Sequence, residues 1–237
     1  MRKALAVLAF VVGAAGCGEI DFHAARTEKV SMRLGRVNSS CSSSSATVGT
    51  NSDGSQTSFV HRMSGNTCVL TSEWSGPFLN MADIKREVQK DIGDETNIRD
   101  FNVEEVNVAL NDVKFKDLSN DATLDLANSA IEFFDGTVNV AGQPVLKASF
   151  DTTENGANPD FPHSATHEPS AFVKAIRENL YTGKGIAGTG GAQVRVVGDR
   201  LHALQDAVEP ALVFEYRIKV DGDRRGAKEQ NYNGINY

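Results

Sequence analysis

Apolar and polar residues alternate most cleanly near the C-terminal end of the chain. Leu212, Phe214, Tyr216, Ile218 and Val220 fall in one phase, and Glu215, Arg217 and Lys219 in the other. An unbroken period of two predicts a β-strand with one buried face. The same period, less clean, predicts strands over 29–36, 58–63 and 67–74, the last two joined by a turn at Ser64-Gly65-Asn66. Between 100 and 110 the alternation slips: Phe101 and Val103 share one phase, while Val106, Val108 and Leu110 share the other. A slip at Glu104-Glu105 is what a β-bulge produces. Val113 and Phe115 continue the same sheet. Residues 130–141 and 145–150 predict a hairpin through Ala141-Gly142-Gln143, and 193–197 a further short strand.

Two stretches change period. Met81, Ile84, Val88 and Ile92 recur at helical spacing, Asn80 with Asp83 forms a capping arrangement, and Gly93 stops the helix. Phe172, Val173, Ile176 and Leu180 share a face of a second helix over 170–181, closed by Gly183. Residues 183–191 read as a glycine-rich link, and 199–208 as a turn or short helix ended before Pro210. Residues 125–130 fit helix or strand equally. Many short strands with two amphipathic helices predict a mainly β (α+β) fold, an antiparallel β-sandwich carrying the two helices. The helices do not alternate regularly with strands, which argues against a parallel, doubly wound sheet.

The N-terminal end has a different character. Arg2 and Lys3 precede an apolar stretch over 4–15, and Ala14-Ala15-Gly16-Cys17 follows. The stretch is too short to span a bilayer as a helix and has the charge layout of a secretory signal. The small residues before Cys17 resemble the lipobox of bacterial lipoproteins, although Ala14 stands where that pattern more often has Leu. The resemblance implies that Cys17 is acylated and becomes the mature N-terminus, so that the lipid anchors the protein in the cell envelope. Gly18 replaces the aspartate associated with inner-membrane retention in some bacteria, and by resemblance this implies the outer membrane. The likeness covers residues 1–18 and gives an address, not an activity. It divides the chain into a signal peptide (1–16), a lipidated tether (17–28), a β-rich domain (29–221) and a polar tail (222–237).

The chain has three cysteines. With Cys17 given to the lipid, Cys41 and Cys68 remain. An exported compartment is oxidising, so they are expected to pair as a disulfide. Two free thiols or a metal pair are the alternatives, and neither cysteine has a histidine or cysteine neighbour at zinc-finger spacing. The formal net charge is −7. Removing Arg2 and Lys3 makes the body more acidic still, which excludes a nucleic-acid partner.

Several constellations carry residue types suited to chemistry. Gly183-Lys184-Gly185-Ile186-Ala187-Gly188 matches the dinucleotide fingerprint in letters, but a helix precedes it and a strand follows, the reverse of the required order. No Ser or Thr follows Lys184, so it is not a P-loop. The loop over 151–169 carries His163, His167 and Glu168, with Asp151, Glu154, Asn155, Asn158 and Asp160 as oxygen donors. Whether it takes a metal is open: Pro162 and Pro169 oppose a helical histidine pair, and the calcium-loop register is missing. There is no Gly-x-Ser-x-Gly elbow. Trp74 and Phe78 either line a ligand site or pack in the core. The reading assigns no catalytic residue, no metal ligand and no cofactor. It expects a non-enzymatic, lipid-anchored envelope protein whose β-rich domain is structural or binds an envelope partner. The alternative is a binder of small ligands or lipids with a cavity between sheets and helices.

Overall fold

The structure, a computed structural model, describes residues 21–42, 47–93, 99, 101–124, 131–151, 165–167, 170–197 and 201–224. In chain order the elements are β1 (Asp21–Arg33), β2 (Thr47–Thr50), β3 (Gln56–Ser64), β4 (Thr67–Leu79), α1 (Met81–Ile92), β5 (Phe101–Asp117), β6 (Ala122–Leu124), β7 (Ile131–Val140), β8 (Gln143–Asp151), β9 (Ala165–His167), α2 (Ser170–Thr182), β10 (Ile186–Val197), α3 (His202–Gln205) and β11 (Pro210–Arg224). The strands form two antiparallel sheets. Sheet 1 runs β1-β11-β5, with β6 and β9 both paired to β5. Sheet 2 runs β2-β3-β4-β10-β7-β8. The expected α+β sandwich with two amphipathic helices is therefore the observed architecture.

The long strands of sheet 1 hold the core together. One half of its inner face packs on sheet 2, where Phe115 meets Phe134 edge-on with ring centroids 5.6 Å apart. A Cβ at Gly136 would stand 2.6 Å from the Phe214 ring, and one at Gly190 only 2.8 Å from Met32 Cε. Glycine at these two positions lets the sheets close on large side chains. The other half of the inner face is covered by α1, which packs on β1, and by α2, which packs on β5. Met81, Ile84, Val88 and Ile92 of α1 are all buried, as are Phe172, Val173, Ile176 and Leu180 of α2. Phe78 stacks on Tyr216 at 4.8 Å and meets Phe172 edge-on at 6.1 Å. These three rings pack together between the sheets and the helices.

Particular features agree with the periodicity. Leu212, Phe214, Tyr216, Ile218 and Val220 are fully buried, and Arg217 and Lys219 are exposed. Along β5 the register jumps from Asp221↔Glu105 to Gly222↔Val103, so Glu104 is the extra residue of a bulge. Asn80 caps α1, its side chain accepting from the Ala82 N–H at 3.1 Å. Ala141 and Gly142 both have positive φ, the geometry a two-residue hairpin turn needs.

Other expectations need correction. Residues 21–28, read as tether, belong to β1; Phe22 and Ala24 point inward, but Arg26 and Glu28 share their phase and hide the alternation. Residues 34–36, read as strand, lie beyond the end of β1. Residues 186–191, read as a glycine-rich link, are the first half of β10, a central strand of sheet 2. Glycine pairs in a strand interior are unusual by propensity; here close approach of Met32 and the neighbouring backbone demands one of them. The loop over 151–169 contains β9, which pairs with Asn107–Ala109 of β5. β11 continues to Arg224, past the expected end of the domain at 221. Residues 1–18, 125–130, His163 and the other donors of the 152–164 stretch lie outside the described residues.

Candidate functional site

The cysteine expectation is met in geometry: Cys41 and Cys68 are bonded, with Cα atoms 5.7 Å apart, and both are fully buried. The bridge ties the segment after β1, in sheet 1, to the start of β4, in sheet 2. Closing a loop of this separation, 27 residues, contributes roughly 3–4 kcal/mol by the chain-entropy model. The pair is structural and not reactive.

The two sheets present very different faces to solvent. On sheet 1, charges of opposite sign sit beside one another. Glu215 lies between Lys29 at 3.3 Å and Lys114 at 3.0 Å, and Lys114 also reaches Asp112 at 2.8 Å. Hydrogen bonding from Lys114, against some desolvation, holds the Glu215 carboxyl below its ordinary range. At one end His23 shares a proton with Asp221 at 2.8 Å, which raises the His23 pKa. At the other end the Asp117 carboxylate is buried. Burial pushes its pKa up, but N–H groups of Val208, Ser119 and Glu209 and the Ser119 hydroxyl outweigh this and bring it to about 2.

Inside the same sheet, Arg26 and Glu28 take positions that would otherwise be apolar. Arg26 donates to Asp83 of α1 at 3.1 Å, and Arg86 meets the other oxygen of Asp83 at 3.1 Å. Burial raises the Glu28 pKa, and Arg26 at 3.8 Å works against that rise. This cluster fixes α1 on β1. Tyr216 is buried behind it and donates to the Phe78 carbonyl.

The part of the outward face of sheet 2 around Glu73 is free of other charge, while Lys147 stands at the far end of its row and Arg62, Asp135 and Arg195 stand in the rows beyond. The strand registers set its outward residues in rows. One row reads Gln56, Ser75, Thr189, Asn139, Pro144; the next reads Val48, Ser58, Glu73, Gly191, Thr137, Lys147; a third reads Val60, Thr71, Gln193, Asp135, Ser149. The first two rows line a concavity of about 560 Å³, bounded by Val48, Gln56, Ser58, Glu73, Ser75, Asn139 and Thr189, with Gly191 at its floor. That size falls within the range of small-molecule sites. All the positions adjacent to Glu73 on this grid are uncharged. Among the described residues its carboxylate is met only by the Ser58 hydroxyl, at 3.5 Å. The trough thus offers hydroxyl and amide groups around a single carboxylate.

Trp74 backs this trough from the strand that carries Glu73 and is buried, and Phe78 is core. Gly188 lies on β10 among the packed residues, so the fingerprint-like glycines serve close packing and a helix end at Gly183, which has φ +68°. Among the described residues no three His, Cys, Asp or Glu side chains converge as a metal set. Nor is any described helix long and apolar enough to cross a membrane. The trough itself was missed in the sequence. Its residues come from strands distant along the chain, and the one local sign was the run of small polar residues in outward phase, Gln56 with Ser58 and Glu73 with Ser75.

No protein-family model, curated protein or solved structure matches this chain. The class rests on the fold alone: an antiparallel two-sheet sandwich with two helices closing one end of the core.

Proposed function

We propose that this chain is a lipid-anchored protein of the bacterial cell envelope, held in the outer membrane through an acylated Cys17. In this reading its β-sandwich is a non-enzymatic body that binds another envelope component. The observation that carries the reading is the Cys41–Cys68 bond. Disulfides persist in exported compartments and are rare in the cytosol. The bond also uses two of the three cysteines and leaves Cys17, the one preceded by the charged, apolar and small-residue pattern of a signal. Support for a binding body comes from the trough on sheet 2, an open concavity of hydrogen-bonding groups on a rigid scaffold.

Replacing Cys17 with Ala tests the anchor. Metabolic labelling with a radioactive fatty acid should mark the native chain and not the variant. The variant should leave the membrane fraction or accumulate as uncleaved precursor. Equal labelling and equal membrane fractionation of the two would refute the anchor. Crosslinking of the native chain in intact cells then identifies the partner.

A further inference from the structure

From the chemistry of the trough, and resting on the partner-binding reading above, we infer that it receives a lysine side chain of a protein partner. Among the described residues, the Glu73 carboxylate is met by no cation. On sheet 1 the outward carboxylates of Glu215 and Asp112 are each met by lysine, at 3.0 and 2.8 Å. Glu73 sits among Ser58, Thr71, Ser75 and Gly191, none of which carries charge. An ammonium group is a compact cation with three donors. Placed beside Glu73, it is offered the carboxylate together with the hydroxyls of the neighbouring Ser58 and Ser75, which line the concavity with it. Gly191, with no side chain, leaves room at the floor for the aliphatic stem. A guanidinium would spend its fork on the two oxygens of Glu73, whereas the hydroxyls beside that carboxylate are met better by an ammonium, whose three donors point in separate directions. The chain's net charge of −7 draws basic partners towards it over the same distance range.

The chain's only tryptophan, Trp74, lies against the trough and reports on its occupation. The full-length protein in detergent is titrated with Nα-acetyl-lysine methylamide, and with the norleucine and arginine counterparts, while Trp74 fluorescence is followed. The lysine probe should give a saturable change that weakens with added salt, and the norleucine probe none. Glu73→Gln should weaken lysine binding by about five-fold, the range of an exposed charge pair. Glu215→Gln, on the opposite face, should leave binding unchanged. Circular dichroism melts confirm that both variants are folded. Equal binding of the lysine and norleucine probes, tighter binding of the arginine probe, or an unchanged affinity in Glu73→Gln overturns the inference. A change produced by a neutral oligosaccharide such as chitotriose and indifferent to Glu73→Gln also overturns it and assigns the trough to glycan. None of these readouts depends on acylation, so loss of the lysine site and loss of the anchor are separate results.

Discussion

The outward faces of sheet 1 and sheet 2 differ in how they treat charge. Sheet 1 spends its lysines and carboxylates on one another, as in the chain from Lys29 through Glu215 and Lys114 to Asp112. Such a face is solvated, as antiparallel sheets with one wet side usually are. Sheet 2 sets small hydroxyl and amide groups around one carboxylate in a concavity. Both faces stand on the same inward packing. The difference therefore lies in how each face disposes its carboxylates: Glu215 and Asp112 are met by lysine, whereas Glu73 is met by no cation among the described residues.

The comparison breaks if the shared support is wrong. Phe214 is fully buried, and its ring lies against the backbone at Gly136 across the two sheets. Phe214→Ala should lower the unfolding free energy by about 3–5 kcal/mol through the cavity it leaves. Urea denaturation measures this, and a loss below about 1 kcal/mol would mean that the sheets do not pack through this residue.

Charge on the side of sheet 1 is also used structurally, which gives the next largest effect. Asp117→Asn removes the ionised acceptor of the Val208, Glu209 and Ser119 N–H groups and should cost about 1–3 kcal/mol. The sign with pH follows from the depressed pKa of about 2 against an ordinary 3.8. The carboxylate's contribution is fully present above the ordinary value and disappears as pH falls through the folded one. Wild type and variant should therefore converge in stability in strong acid and differ at neutral pH. A difference that persists unchanged at pH 2 would show that the charge is not the cause.

The smallest effect sharpens the comparison most. Glu215→Gln should destabilise by about 0.2–1 kcal/mol for each lysine it loses, less at high salt. Glu73→Gln should move stability by no more than about 0.5 kcal/mol, since no described cation depends on it. A larger loss for Glu73→Gln than for Glu215→Gln would reverse the assignment of the two faces.

The architecture was legible where one chemical rule acted alone. Both helices, the strand around Phe214 and the bulge at Glu104 follow from period, caps and slip. The first strand was not legible in full because Arg26 and Glu28 occupy inward positions, and their phase makes sense only once Asp83 of α1 lies opposite. The start of β10 was hidden because glycine signals a loop, whereas Gly190 serves the approach of Met32. The candidate site was illegible for a reason of topology. Glu73 and Gly191 become neighbours only because β10 inserts between β4 and β7, and local pattern does not report strand order.

One pairing sets the timing of folding. β1 begins at Asp21 and pairs with β11, where Asp223 is its partner, so the first and last described strands are neighbours in the sheet. A chain that emerges N-terminus first has no mate for β1 until nearly all of it has appeared. Contacts of such sequence separation are made late and slowly, because loop-closure entropy is paid before they repay it. Meanwhile Val30 and Met32, later enclosed in the core, remain open to other chains. Sheet 1 is thus completed late, and a nascent copy depends on being kept apart from its neighbours until β11 pairs with β1.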